Sequence, residues 1–209
     1  MKILAIAGHA DDVELGLGGT LARHAASGDE VTVVLVTHSG YSGYDGQVIR
    51  TSDQANAEAA EAAHILGVNS LIVWDYETKE VEYNVKLIED LNRLIDQVKP
   101  DIVYTHWAKD VNQDHTAISK ATLIAARNIP CILMYQSNWH SSQSTFQGKF
   151  YVDISDFIST KIEAIQAHKS EIEKRGSTWI EFFTNKNRND GILLGVEYAE
   201  CFEIIRWMR

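Results

Sequence analysis

The chain has 209 residues, 45% of them hydrophobic, which is enough to bury a full core and sits at the upper end of what one domain holds, so residues 1–209 are expected to form a single domain. A formal net charge of −10, with no dense run of Lys or Arg, excludes a protein that grips nucleic acid by neutralising phosphates. No apolar segment reaches bilayer-spanning length, Asp11 and Asp12 interrupt the apolar start, and Cys131 and Cys201 lie far apart without C-x-x-C spacing; the expectation is a soluble, unexported protein of the reducing cytoplasm with no transmembrane segment.

Apolar β-rich runs alternate with helical patterns, the signature of an α/β fold with a parallel sheet covered by helices on both faces. Lys2 to Ala7 reads as a buried strand, Gly18 to Ala26 as a helix closed by Gly28, and Val31 to Thr37 as the next strand. A polar loop from His38 to Gly46 precedes the alanine-rich helix Thr51 to Leu66, ended by Gly67, and Leu71 to Trp74 is a short strand. Val85, Ile88, Leu91, Ile95 and Val98 recur at helical spacing before Pro100, and Asp101 to Thr105 follows as a buried strand. Asp114 to Arg127 is predicted helical, Cys131 to Gln136 a strand, Ser155 to Arg175 a long helix and Cys201 to Trp207 a terminal strand. Thr178 to Gly195 is too mixed to assign.

Directly after the first strand stands Gly8-His9-Ala10-Asp11-Asp12-Val13-Glu14, one imidazole and adjacent carboxylates. The acids alone would suit a helix N-terminus, but capping does not account for the histidine. After the strand Asp101 to Thr105 comes Asp110-Val111-Asn112-Gln113-Asp114-His115. In a parallel sheet both segments lie at the carboxyl edge, where ligands bind, so they can converge on one crevice. His9, Asp12 and His115 then form a three-ligand set that leaves a fourth position for water, the open arrangement of catalytic zinc, and Asp11 is left as a base. His115 read alone is equally a histidine at a helix start, and Asp114 equally a helix cap or a group orienting its neighbours.

These motifs, with Gly18-Gly19-Thr20 and Tyr198-Ala199-Glu200, resemble the LmbE-like, PIG-L-type family of zinc-dependent de-N-acetylases. Arg50, the Glu61 to Gly67 stretch, Val152-Asp153-Ile154-Ser155, Lys161 and Lys169-Ser170 match smaller features of that pattern. The resemblance implies a Rossmann-like, mostly parallel sheet with zinc at its carboxyl edge. It also implies removal of an acetyl group from an N-acetylated amino sugar of the N-acetylglucosamine type, or its conjugate. His9, Asp12 and His115 fall on the family's metal-ligand positions, Asp11 on its general base and Arg50 on a substrate-contacting position. Ala10 stands where proline is common, and Asn112 where several members place a histidine that polarises the amide oxygen. An asparagine donates a hydrogen bond but carries no charge, so His140, in the loop after the strand Cys131 to Gln136, is a candidate for sharing that role.

Three other readings compete. Gly16, Gly18 and Gly19 invite dinucleotide binding, but the glycines come too late after the strand, carboxylates occupy the phosphate's approach, and the second strand ends without an acidic residue. A non-catalytic sugar- or nucleotide-binding module has the complete set of base and ligands against it. A phosphoester hydrolase has only Arg50 and Lys109 to neutralise phosphate. His24, His64 and His168 read as helix residues at the core edge, whereas His38 and His106 end strands and can flank the site; Trp74, Trp107 and Trp139 serve either packing or sugar stacking. Specificity is expected in the loops His38 to Arg50, Trp74 to Tyr83 and Trp139 to Lys149, and a homo-oligomer is compatible with the sequence.

Overall fold

Ile3 to Ala7 are fully buried in β1 (Lys2–Ala7), and their alternating side chains feed two separate cores. Ile3, Ala5 and Ala7 join Leu17, Leu21, Ala59 and Leu66, whereas Leu4 and Ile6 join Leu87, Leu91, Ile118 and Ala121. A strand apolar on both faces belongs inside a sheet covered on both sides. The computed structural model, which describes residues 1–208, contains that sheet. Its seven strands run in the spatial order β5 (Ser70–Tyr76), β2 (Glu30–Thr37), β1, β6 (Ile102–His106), β7 (Cys131–Tyr135), β9 (Ala199–Trp207) and β8 (Phe150–Asp153). The first five are parallel, and β9 runs antiparallel to both of its neighbours.

Helices α1 (Asp12–Ala26), α2 (Ser52–Leu66) and α5 (Ile158–Ala167) cover one face, and α3 (Val85–Val98) and α4 (Gln113–Ala125) the other. The chain travels outward from β1 to β2 and β5, then crosses back to β6 on the opposite side of β1. That reversal opens a crevice beyond the carboxyl ends of β1 and β6, the place where such sheets take ligands.

Four features depart from the sequence prediction. Helix α1 begins at Asp12 rather than at Gly18, and it kinks at Leu17 (φ −150°, ψ 18°). Buried side chains satisfy the backbone at the kink: Glu200 accepts from the Gly19 and Thr20 amides at 3.1 and 2.7 Å, and the Lys161 Nζ donates to the Leu15 carbonyl at 2.9 Å. Gly16 is required there because a Cβ at that position would lie 2.3 Å from the Tyr135 ring. The predicted helix Ser155 to Arg175 is a 3-10 turn, α5 and then α6 (Lys169–Arg175), separated at His168, whose ψ of 65° is not helical. The unassigned stretch folds as α7 (Ser177–Leu194), packed through Trp179 and Phe183 onto Leu15 and Ile165. Finally, the polar loop after β2, expected to help set specificity, contains a small hairpin of β3 (Tyr41–Ser42) and β4 (Val48–Arg50).

Candidate metal centre

His9 follows β1 by two residues, Asp12 opens α1 and His115 lies in the first turn of α4, so the three side chains come from the two sides of the crevice. The His9 Nδ1 is 3.2 Å from the His115 Nε2 and 3.3 Å from the Asp12 Oδ2, and the His115 Nε2 is 3.2 Å from the Asp12 Oδ1. One ligand-type atom from each lies within 4.8 Å of the others. The far nitrogen of each ring is held by a carboxylate: His9 Nε2 by Asp114 Oδ2 at 2.8 Å, and His115 Nδ1 by Asp110 Oδ2 at 3.2 Å. Outer carboxylates of this kind fix the tautomer and turn the free nitrogen toward a cation. Two imidazole nitrogens and a carboxylate oxygen suit a borderline metal such as zinc, so the residues present fit the group.

The electrostatics point the same way. Burial pushes the His9 imidazole down, but its bonds to Asp114 and Asp12 outweigh that and raise it to about 10. His115 is likewise raised to about 9 against its burial, by Asp12 and Asp110. Asp12 is held well below the usual carboxylate range, its burial overcome by His115 and His106. The site therefore demands positive charge at its centre, and a bound cation would supply it with both ligand rings neutral. His106 lies behind the set, its ring stacked on His115 at 3.8 Å, and its Nε2 accepts from the Gly8 amide at 2.8 Å. Burial and the charge of His115 lower it to about 4, which keeps it a neutral acceptor.

Asp11 sits at φ 127°, a region that L side chains rarely adopt, at a backbone cost of about 1–3 kcal/mol. Its carboxylate lines a cavity of about 430 Å³ with His9, Asp12 and His115, and it forms no hydrogen bond among the described residues. Burial, with Asp12 and Glu171 adding repulsion, raises it to about 7. Asn112 lines the same cavity as the N-cap of α4; its Oδ1 accepts from the amides of Asp114 and His115 at 2.9 and 3.4 Å, which leaves the Nδ2 free to donate. His140 is also on this wall, exposed, with its Nε2 accepting from the Trp139 Nε1 at 3.2 Å. Arg50 reaches the cavity but is 2% exposed and already engaged, donating to the Ala10 carbonyl at 3.0 Å and to Glu58 Oε2 at 2.8 Å.

Among the open readings, Asp114 orients His9 and also accepts from the Lys79 and Val81 amides at 2.7 and 3.1 Å. Trp139 lines the cavity, Trp107 is buried in packing, and His38 bonds Glu77. His168, read as a core-edge residue, is fully buried 3.2 Å from the Arg50 guanidinium. Tyr41, Lys79, Glu171, Lys174 and Arg175 also line the cavity, and the motif reading contained none of them. Lys79 lies in a loop expected to set specificity, whereas Glu171, Lys174 and Arg175 look like ordinary solvated helix charges until α6 is placed.

The family model described as PIG-L, GlcNAc-PI de-N-acetylase, matches residues 4–126. An uncharacterized deacetylase of Escherichia coli, YaiS, is 33% identical over 80% of this chain and 90% of its own length. The diacetylchitobiose deacetylase of Thermococcus kodakarensis is 26% identical over 98% of this chain and 83% of its own. Among solved structures, the conserved protein TT1542 from Thermus thermophilus superposes with a TM-score of 0.84 at 27% identity, covering 100% of this chain and 96% of that one.

Proposed function

The chain belongs to the PIG-L family of GlcNAc-PI de-N-acetylases, and from that premise we propose that it is a zinc-dependent hydrolase that removes the acetyl group from an N-acetylated amino sugar or its conjugate. The carrying observation is the convergence of His9, Asp12 and His115 in one cavity with an unbonded Asp11 beside them. The first three would hold the ion. Zinc, when bound, supplies Lewis acidity that acidifies water and polarises the amide oxygen.

The chain's own residues do the rest. Asp11 takes a proton from the attacking water as its oxygen bonds the acetyl carbon, and returns it to the amine nitrogen as the C–N bond breaks and acetate leaves. A base so placed contributes roughly 10²–10⁴-fold. The Asn112 Nδ2, turned outward because its Oδ1 caps α4, donates to the amide oxygen as negative charge develops, and His140 adds a second donor from the opposite loop. The proposal places the enzyme in the cytoplasm, in keeping with the free thiols of Cys131 and Cys201, and no helix among the described residues is long and apolar enough to cross a membrane.

Acetate release from free, inositol-linked, nucleotide-linked and lipid-linked N-acetylglucosamine, with and without zinc, tests the reading. Activity should vanish on chelation and return with zinc. Asp11→Asn should keep stoichiometric zinc and lose most of kcat, whereas Asp12→Asn and His115→Ala should lose the metal. Equal zinc loss in Asp11→Asn and Asp12→Asn would reverse the roles of the two carboxylates. No acetate from any of these sugars would refute the function.

A further inference from the structure

The Asp11 carboxylate forms no hydrogen bond among the described residues, so its backbone and the packing around it set where it points. That backbone stands at φ 127°, which a residue with a side chain holds only where its surroundings over-determine it. Upstream, Ala10 is tied twice: its amide donates to the Ser39 Oγ at 2.9 Å, and its carbonyl accepts from the Arg50 Nη1 at 3.0 Å. Downstream, the Asp11 carbonyl accepts from the Leu15 amide at 3.1 Å, in the same turn of α1 as the buried Glu14.

One side chain reaches both flanks. His168 is fully buried at the break between α5 and α6, where its ψ of 65° ends one helix and opens the next. Its Nδ1 lies 3.2 Å from the Arg50 Nη2; a guanidinium only donates, so Nδ1 accepts and the ring hydrogen sits on Nε2. That nitrogen faces the Glu14 Oε2 at 3.5 Å, and neither of these two atoms has a nearer partner among the described residues. Arg50 is gripped from its other side by Glu58, whose carboxylate also accepts from the Ser170 amide at 2.8 Å and the Ser170 Oγ at 2.7 Å, two residues beyond His168. A side chain that only filled space here would need no nitrogen, because burying polar atoms costs free energy that an aliphatic group avoids.

We propose that His168 is a positioning residue: it joins Arg50 to Glu14, clamps residues 10 to 14 on both sides of Asp11, and so holds the base in its strained conformation. This rests on the deacetylase reading, in which Asp11 moves the proton. His168 does not itself line the cavity and acts only through Arg50 and Glu14.

The test compares His168→Leu, His168→Asn and His168→Gln with the wild type, all loaded with zinc, for acetate release from N-acetylglucosamine or the fastest of its conjugates. Crystal structures of the metal-free wild type and variants form a second arm. His168→Leu should lower kcat about a hundredfold, the cost of a reacting group displaced by about 1 Å, with KM and zinc content unchanged. In its structure Asp11 should leave φ 127°. The Asn Oδ1 can accept from Arg50 but its amide does not reach Glu14, and the Gln Nε2 can donate to Glu14 but not accept from Arg50, so each should recover part of the lost kcat. Lower thermal stability with an unchanged kcat per zinc-loaded molecule would make His168 a packing residue and overturn the proposal. So would an Asp11 that keeps its conformation in His168→Leu, or an equal loss of kcat in all three variants. If His168→Leu does not fold, the other two decide: both should fall short of the wild type in kcat alone, and wild-type kcat in both overturns the clamp. If the wild type releases acetate from no sugar, the hydrolase reading fails by itself, and the Asp11 conformation in the variants still decides whether His168 holds it.

Discussion

Removing the Glu200 carboxylate should cost this protein a large fraction of its stability, although Glu200 is fully buried and does not itself line the cavity. Its Oε1 takes the Lys161 Nζ at 2.6 Å and the Gly19 amide at 3.1 Å, and its Oε2 takes the Thr20 amide at 2.7 Å. Both partners of the ion pair are at most 1% exposed. Glu200→Ala therefore leaves an ammonium buried without its counter-ion, a loss of about 3–5 kcal/mol, and strands two amides at the α1 kink, so about 5 kcal/mol in all is a reasonable expectation. Lys161→Met keeps the amide bonds but leaves the carboxylate unpaired, at about 3 kcal/mol. Because the two changes share one interaction, Lys161→Met with Glu200→Ala should cost less than their sum by more than about 1 kcal/mol. Urea unfolding of the four proteins of this cycle measures it, with Glu200→Ala lowering the midpoint by roughly 2 M at an unchanged slope. A loss under about 1 kcal/mol for Glu200→Ala, or strict additivity, would show that the pair does not hold the kink.

Arg50→Met should lower stability by about 3–5 kcal/mol through the orphaned Glu58 and weaken zinc binding about tenfold, since the Ala10 carbonyl next to Asp11 loses its donor; unchanged thermal stability with only a raised KM would make Arg50 a substrate contact instead. His140→Ala should lower kcat with little change in KM, whereas an effect confined to KM would assign the histidine to sugar binding. Burial alone would raise Asp90, but the Tyr76 hydroxyl, Lys86 and Arg93 hold it below the ordinary carboxylate value. A depressed acid adds stability above its unfolded pKa of about 3.9 and loses it as the pH falls through the folded value, so Asp90→Asn should melt a few degrees lower at pH 7, with the gap to the wild type narrowing as the pH falls below about 4.

The carboxyl-edge chemistry was legible because it lies on consecutive residues, with His9 to Asp12 behind the apolar β1 and Asn112 to His115 behind β6. Local pattern also gave β2, α2, α3 and β7 to within a few residues. Helix α7 escaped because Asn185, Asn187, Asn189 and Gly191 are weak helix formers and its apolar residues mark no single stripe; it is stabilised by Trp179 and Phe183 packing on distant Leu15 and Ile165. The kink in α1 was hidden for a related reason, since the groups that satisfy it, Lys161 and Glu200, are more than a hundred residues away in the chain. The cationic residues in the cavity lining were invisible in the same sense: Lys174 and Arg175 follow Glu171 and Glu173 in a pattern typical of a solvated helix, and only the placement of α6 gives Lys174 a partner in the Tyr41 hydroxyl and sets Arg175 over the Trp179 ring.

Asp114 carries a consequence for anyone who would redesign this enzyme. One carboxylate both orients the His9 ring and anchors the backbone of the loop around Lys79 and Val81. On the proposed function, the loop and the metal centre therefore do not come apart as modules: a loop transplanted from a relative must present two amides in the same register to Asp114, or the His9 imidazole loses its alignment. Libraries that randomise this segment should keep the backbone geometry at Lys79 and Val81 and vary Glu80 and the side chains on either side, because variants that break the register would be scored as poor binders when their defect is a misaligned histidine.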